Sequence, residues 1–216
     1  MLKKFLFSLV CSVIALFTVA SQTYAVSLGG DKVNVAVVLD TPGGMFSEPE
    51  KVYETIKESL DNIFKDSDKY HILSIGETDA YVQIYREEHD LSASMDTGYV
   101  TVDRRDLSLK KENINEICKH FEADYVIYTR VTSSAPRVSV GFMSAGQKVN
   151  VTLDFRVWSD KKGDFVYTKR AMTTGSSKTI YAGGMGSSSH AVEKGLKKGL
   201  QEVEKDSLKI KTAMIE

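Results

Sequence analysis

The stretch Ala123-Asp124-Tyr125-Val126-Ile127-Tyr128-Thr129-Arg130-Val131 decides the fold. Six of the seven residues 125–131 are bulky, β-branched or aromatic, which is typical of a strand buried on both faces. We therefore expect this strand at the centre of a sheet. The earlier helices and strands should pack around it, and the later strands should pair beside it.

Upstream of this strand, apolar periodicity predicts alternating strands and helices. The predicted strands are residues 33–39 and 70–75, and the predicted helices are residues 47–64, 79–88 and 108–121. Ser47-Glu48-Pro49-Glu50 fits a capping box with Ser47 as the N-cap. The apolar stripes of the three helices are Val52, Ile56, Leu60, Ile63 and Phe64; Tyr81, Ile84 and Tyr85; and Ile114, Ile117, Cys118 and Phe121. Residues 90–106 are polar and are predicted to form a mobile loop.

Downstream, the pattern changes to strict alternation. Residues 138–142 and 149–158 alternate apolar and polar side chains, which predicts half-buried strands. We expect turns at residues 144–146 and 160–164, a strand at 165–173, a flexible Gly/Ser-rich excursion at 174–189 and a last helix at 189–205 before a polar tail. The fold class is therefore an α/β (α+β) sandwich: a mixed sheet with a parallel N-terminal part, long antiparallel hairpin pairing in the C-terminal half, and helices packed against it.

Residues 1–25 have the pattern of a signal peptide. Lys3 and Lys4 precede a mostly apolar run at residues 5–20, and Thr23-Tyr24-Ala25 offers small residues for cleavage after Ala25. The alternative is an uncleaved anchor, although this run of 16 residues is shorter than the ~20 that a spanning helix needs. We expect a signal peptide at 1–25, one domain at 26–210, and export to the periplasm or cell envelope.

Composition excludes several classes of function. Without Lys3 and Lys4 the basic residues fall from 28 to 26 against 29 acidic residues, a net charge of −3. This net charge does not indicate a basic surface for binding nucleic acid, and membrane association has only weak support. The four histidines lack metal-ligand spacing, Cys118 lies on an apolar helix face, and no catalytic motif is present. We expect neither a cofactor nor an enzyme activity.

Arg130 is the most informative single charge because it lies near the end of an otherwise apolar strand. A charge at this position needs a partner, and Asp154 and Asp124 are the candidates. A salt bridge at the edge of the core is the main interpretation, and a ligand-binding arginine is the alternative. Arg130, Asp154, Phe142 and Met143 are the predicted positions for a buried charge or a partner contact.

Two segments carry a resemblance to a known family. Ala123-Asp124-Tyr125-Val126-Ile127, followed by residues 151–165 (VTLDFRVWSDKKGDF), resembles CsgG-type periplasmic domains and, more loosely, TolB N-terminal and LpoB-like domains. The resemblance covers residues 33–203. It implies a non-enzymatic envelope protein that acts by protein–protein binding, with an envelope protein partner or by self-association.

The alternative that the resemblance implies is an oligomeric outer-membrane export component of the CsgG type. This sequence departs from such a pore in two respects. It lacks the lipid-anchoring cysteine, and the segments at 136–150 and 173–189, which correspond to the membrane hairpins, offer few outward apolar positions.

Overall fold

The core of the protein is a six-stranded mixed sheet with helices on both faces. The structure is a computed structural model that describes residues 32–41, 46, 48–65, 67–91, 108–140, 144–180 and 187–215. Its elements in chain order are β1 (Val33–Asp40), α1 (Pro49–Ile63), β2 (Tyr70–Ile72), α2 (Ile75–Glu88), α3 (Lys111–His120), β3 (Tyr125–Ser133), β4 (Arg137–Val140), β5 (Ser144–Ser159), β6 (Asp164–Ile180), α4 (Ser188–Glu204) and α5 (Ser207–Ala213).

The sheet combines a parallel half and an antiparallel half that meet at β3. β1 pairs in parallel with β2 and β3, whereas β3 pairs antiparallel with β5. β4 continues along the same side of β5 where β3 has ended, and β6 pairs with the other side of β5 from Ser144↔Ile180 to Ser159↔Asp164. This topology confirms the predicted fold class.

The first face of the sheet is covered by α1, α4 and α5. Alternate residues of the strands point to this face and form one apolar cluster with the helices. Fully buried members include Val37 on β1, Ile127 on β3 and Leu153 on β5, against Ile56 of α1 and Leu196 of α4. Because strand side chains alternate between faces, the intervening residues must point to the other side.

The second face is covered by α2 and α3 over β1 and β3. Val38 of β1 and Val126 of β3 pack there against Val82 of α2 and Ile114 of α3. β1 and β3 are therefore buried on both faces, as predicted for residues 125–131. This double burial explains why their sequences are nearly continuous apolar runs.

Several predicted boundaries upstream of β3 are wrong. The N-cap of α1 is Glu48 rather than Ser47, and the Glu48 side chain makes no capping hydrogen bond. Ile75 begins α2 instead of ending β2, because the Ser74 side chain accepts a hydrogen bond from the Glu77 N–H and caps the helix there. The buried face of α2 is formed by Ile75, Thr78, Val82, Tyr85 and Arg86. Ile84 lies outside this face and is exposed, although its spacing suggested the buried face.

Three predictions downstream of β3 are also wrong. Residues 144–146 belong to β5 rather than to a turn, and residues 174–180 extend β6 instead of forming a flexible excursion. The predicted polar tail contains α5, in which Ile210 is fully buried. The turn at 160–163 is correctly predicted, and it closes through Gly163 at a φ of 61°. Residues 1–31, 92–107, 141–143 and 181–186, including Phe142 and Met143, lie outside the described residues.

Small residues let α4 approach the sheet closely. A Cβ atom built on Gly175 of β6 would overlap the carbonyl oxygen of Ala191 on α4, and one on Gly195 would overlap the side chain of Val151. The Gly/Ser-rich composition of this segment therefore reflects close packing against a helix. Composition alone suggested flexibility because it contains no information about the helix that packs against this segment.

We predict that Gly175→Ala destabilises the protein by at least about 2 kcal/mol, because overpacking against a backbone atom forces α4 away from the sheet. Chemical denaturation monitored by circular dichroism measures this change. The matched control is Gly76→Ala on α2, where an added Cβ meets nothing within 4 Å. The control should range from neutral to a gain of about 1 kcal/mol, and equal effects of the two variants would contradict the packing argument.

The start of α5 is held to β6 by the Asp206 carboxylate. Its Oδ2 accepts hydrogen bonds from Lys169 Nζ at 2.7 Å and from the Tyr167 hydroxyl at 2.9 Å. The hydrogen bond from Lys169, followed by those from Lys209 and Tyr167, holds the pKa of Asp206 well below its usual range. At the far end of α5, the Tyr125 hydroxyl donates to the Met214 carbonyl.

This anchor should make stability depend on pH. Because the folded pKa of Asp206 is lower than the unfolded value of about 3.9, the unfolded chain binds the proton first as the pH falls. The stabilisation from Asp206 should be complete above about pH 5 and should shrink below about pH 4. The difference in free energy of unfolding between wild type and Asp206→Asn, measured from pH 7 to pH 3, tests this. Lys169→Met, as a control, should reduce the same difference, and a difference that grows on acidification would contradict the anchor.

Candidate functional site

Four charged residues form a row across the second face of the sheet. Asp40 of β1 is in register with Arg130 of β3, Arg130 with Asp154 of β5, and Asp154 with Arg170 of β6. Their charges alternate, so each charge has the opposite charge on the neighbouring strand. We call these four residues the charged row.

Asp40 is the buried end of the charged row. Its side chain is 6% exposed and forms an ion pair with Arg86 of α2, which is 10% exposed. The Tyr128 hydroxyl donates a hydrogen bond to the other carboxylate oxygen, and Arg130 Nε lies 4.0 Å from that oxygen. A buried carboxylate is tolerated only with such partners. Asp40 therefore joins α2, β1 and β3.

Arg170 is the exposed end of the charged row. Its guanidinium makes two hydrogen bonds to the Asp154 carboxylate, from Nε at 2.5 Å and from Nη2 at 3.1 Å. The Asp154 side chain is 12% exposed and the Arg170 side chain 61%. The hydrogen bonds to Asp154 raise the pKa of Arg170. Two hydrogen bonds from one guanidinium to one carboxylate fix the position of the guanidinium on the strand.

Two aromatic rings, Tyr128 and Phe165, lie close to the Arg156 guanidinium on the second face. The Arg156 guanidinium lies 5.9 Å from the centre of the Tyr128 ring and 5.5 Å from that of Phe165. Burial, reinforced by the neighbouring Asp40, raises the pKa of the Tyr128 phenol far above neutral pH. Tyr128 therefore stays protonated and acts as a hydrogen-bond donor to Asp40.

In the described part of the chain, the second face is exposed over parts of β5 and β6. The exposed or half-buried side chains of this open face are Asn150 and Thr152 on β5 and Thr168, Arg170, Met172 and Thr174 on β6. Met172 is 80% exposed. Within the described part of the chain, α2 contacts β1 and α3 contacts β3 on this side of the sheet. A rigid strip of polar side chains with one methionine is thus presented beside the charged row.

The structure places the predicted site residues as follows. Arg130 and Asp154 are register neighbours on the second face, and Asp154 binds Arg170. Asp124, the other candidate partner of Arg130, precedes the opposite end of β3 and accepts a hydrogen bond from the Asn34 N–H at 2.8 Å. Phe142 and Met143 lie outside the described residues.

Sequence reasoning missed Asp40 and Arg86. Asp40 directly follows the apolar run of β1, in the same position that Arg130 occupies near the end of β3. Arg86 lies four residues after Val82, on the buried face of α2. Parallel pairing of β1 with β3 would have brought the two strand ends together, so pairing the charges at the strand ends would have found Asp40.

Several kinds of chemistry have no support in the described residues. In the part of the chain that the structure describes, no group of three His, Cys, Asp or Glu side chains could hold a metal ion. None of the described helices is long and apolar enough to cross a membrane. Burial raises the pKa of the Cys118 thiol to about 12, which makes it a poor nucleophile.

We predict that Asp40→Asn destabilises the protein by about 3–5 kcal/mol, because it leaves the buried Arg86 charge without its counter-ion. Denaturant titration measures the free energy of unfolding. Asp61→Asn, which breaks an exposed pair with Lys57, should cost less than about 1 kcal/mol. In the double variant Asp40→Asn/Arg86→Met, the loss should be smaller than the sum of the two single losses, and strict additivity would contradict the pairing.

Comparisons with known proteins give similarity of structure only. No protein family model matches the chain, and no curated protein matches it. The C-terminal domain of LpoB from Escherichia coli is 13% identical, with 72% of this chain and 91% of that chain covered and a TM-score of 0.33. The lipoprotein GNA1162 from Neisseria meningitidis is 12% identical, with 82% of this chain and 98% of that chain covered and a TM-score of 0.37.

A third similar structure is the hypothetical protein CT253 from Chlamydia trachomatis. It is 11% identical, with 85% of this chain and 98% of that chain covered and a TM-score of 0.37. LpoB C-terminal domains are thus among the structures to which this chain is similar. The resemblance to CsgG-type and TolB domains stays a prediction. At these identities and TM-scores, no function passes from those proteins to this chain.

Proposed function

We propose that the protein is a non-enzymatic, exported component of the cell envelope that acts by binding another protein through the open face. The observation that carries the proposal is the exposure of this face. The strands β5 and β6 hold their side chains rigidly in register, yet Arg170 and Met172 are largely exposed.

The chemistry of the open face suits a protein partner. Arginine and methionine are enriched at protein interfaces, where they combine charge or adaptable apolar contact with a fixed position. Arg170 is held by Asp154 before any partner arrives, so little side-chain entropy remains to be lost on binding. The hydroxyl groups of Thr168 and Thr174 add hydrogen-bonding capacity on both sides of Met172.

The charged row supports binding rather than catalysis. Its buried carboxylate, Asp40, is engaged by Arg86 and Tyr128, and the Tyr128 phenol is protonated at neutral pH. Neither group is presented to solvent as an acid, base or nucleophile, which catalysis would need. The row therefore fixes the strand register beneath the open face.

Export is supported by the sequence at residues 1–25, where two lysines precede an apolar run and small residues suited to cleavage. An envelope partner is consistent with the predicted LpoB-like resemblance. The proposal thus combines a compartment taken from the N-terminal sequence with a binding surface taken from the sheet.

In vivo photo-crosslinking tests the proposal. We predict that a benzoylphenylalanine at position 150, on the open face, gives a discrete adduct with one other envelope protein. The same group at position 208 should give none, although Leu208 on α5 is 74% exposed. Thr152→Arg should abolish the adduct by placing a bulky charge in the middle of the face, whereas Leu208→Arg should leave it unchanged.

The adducts also separate the alternatives. Equal labelling from positions 150 and 208, or an adduct that survives Thr152→Arg in a folded protein, would contradict the open face as the binding surface. A ladder of adducts containing several copies of this chain would instead favour the oligomeric export component.

A further inference from the structure

β6 forms one edge of the sheet in the described part of the structure. In the described part of the structure, β6 pairs with β5 and with no other strand. It is 17 residues long, well above the usual strand length of about 5–6 residues. A long unpaired edge exposes backbone donors and acceptors that can accept another strand.

The hydrogen-bond pattern shows which residues face the free edge. At the two ends of the β3–β5 pairing, Asp160 N–H donates to the Asp124 carbonyl at 3.0 Å and Ser134 N–H donates to the Asn150 carbonyl at 2.9 Å. Even-numbered residues of β5 therefore direct their backbone groups towards β3, and odd-numbered ones towards β6.

The register between β5 and β6 then shows which way the backbone groups of β6 point. Val151 is opposite Thr173 and Leu153 is opposite Ala171, so odd-numbered residues of β6 in this region bond to β5. The even-numbered residues 168–174 direct their N–H and C=O groups to the free edge. The Thr174 carbonyl confirms this direction, because it accepts a hydrogen bond from Lys198 Nζ of α4 at 2.8 Å.

We propose that two copies of the chain pair their β6 strands antiparallel, with the two-fold axis at Met172. This register places Met172 opposite Met172 of the second copy, and it covers a side chain that is 80% exposed in the single chain. Arg170 then lies opposite Thr174, and Thr168 opposite Ser176. The two Arg170 side chains are separated by about 13 Å along the strands, so like charges do not meet.

The charges of α4 match the same arrangement. Lys198 lies beside Thr174 through its hydrogen bond to that carbonyl, and Glu202 lies beside Lys169, whose Nζ donates to the Glu202 carbonyl at 2.7 Å. With the two-fold axis at Met172, residue 174 of one copy lies opposite residue 170 of the other copy. Lys198 of each copy therefore faces Glu202 of the second copy. Both side chains are exposed, and the Glu202 carboxylate also pairs with Lys205 of its own chain at 2.6 Å.

This contact uses the edge of β6 and the solvent side of α4, whereas the proposed partner site uses the open face; the two share the side chains of Arg170, Met172 and Thr174, which stand beside that edge. It would place the open faces of two copies side by side on one continuous sheet. Because the pairing involves only this protein, purified material tests it whether or not the partner-binding proposal holds.

Disulfide trapping tests the register. Opposed residues in a hydrogen-bonded antiparallel pair have Cα atoms about 5.5 Å apart, which suits a disulfide. In a Cys11→Ser background, Met172→Cys should form a disulfide-linked dimer at least tenfold faster than Ile84→Cys, an exposed control on α2. Buried Cys118, with its raised pKa, should not react. Equal rates for the two variants, with both folded by circular dichroism, would overturn the proposal.

Charge reversal on α4 provides the second test, read by analytical ultracentrifugation of the full chain. Lys198→Glu and Glu202→Lys should each weaken the dimer by roughly tenfold, because each creates two facing pairs of like charge. The double variant should recover the wild-type dissociation constant. A chain that is monomeric at all concentrations, or a double variant weaker than both single variants, would overturn the proposal.

Discussion

The register between β1, β3 and β5 is the constraint on which the rest of the structure depends. A slip of one residue would exchange the two faces of a strand. For β3 it would turn Arg130 into the apolar cluster of the first face and remove Ile127 from it. The ion pairs of Asp40 add a penalty to every alternative register, because a buried carboxylate without Arg86 is costly. Apolar burial supplies most of the stability, and the charged row selects one pairing.

The sequence of β3 was sufficient to predict a central strand, because double burial leaves a continuous apolar pattern. The same holds for the stripes of α1 and α3, whose predicted residues are buried apart from the half-buried Phe121. The closeness of Asp40 to Arg130 was not predictable from β3 alone. Asp40 precedes Arg130 by 90 positions and becomes a neighbour only through parallel pairing. Long-range pairing of this kind leaves no local periodicity in the chain.

The Gly/Ser-rich segment after Thr173 shows a different limit of sequence analysis. Glycine in a strand either weakens it or marks a close approach of backbone, and composition cannot separate the two. Here Gly175 meets Ala191, and Gly195 on α4 meets Val151. The small side chains on both elements are one feature of packing divided between two places in the sequence. Gly76, with open space around its Cα, would have looked the same in the sequence.

The close packing of α4 on the sheet also determines which surfaces of β6 stay exposed. Since α4 lies on the first face, the second face and the far edge of β6 are left to other contacts. Natural edges are commonly protected by lysine, and Lys198 covers the Thr174 carbonyl in this way. That protection comes from one flexible side chain at one carbonyl. An opposing Glu202 can draw the Lys198 ammonium away, because a charged partner competes well with a neutral carbonyl. The lysine that protects the edge in a single chain is thus the same group that a second copy would use.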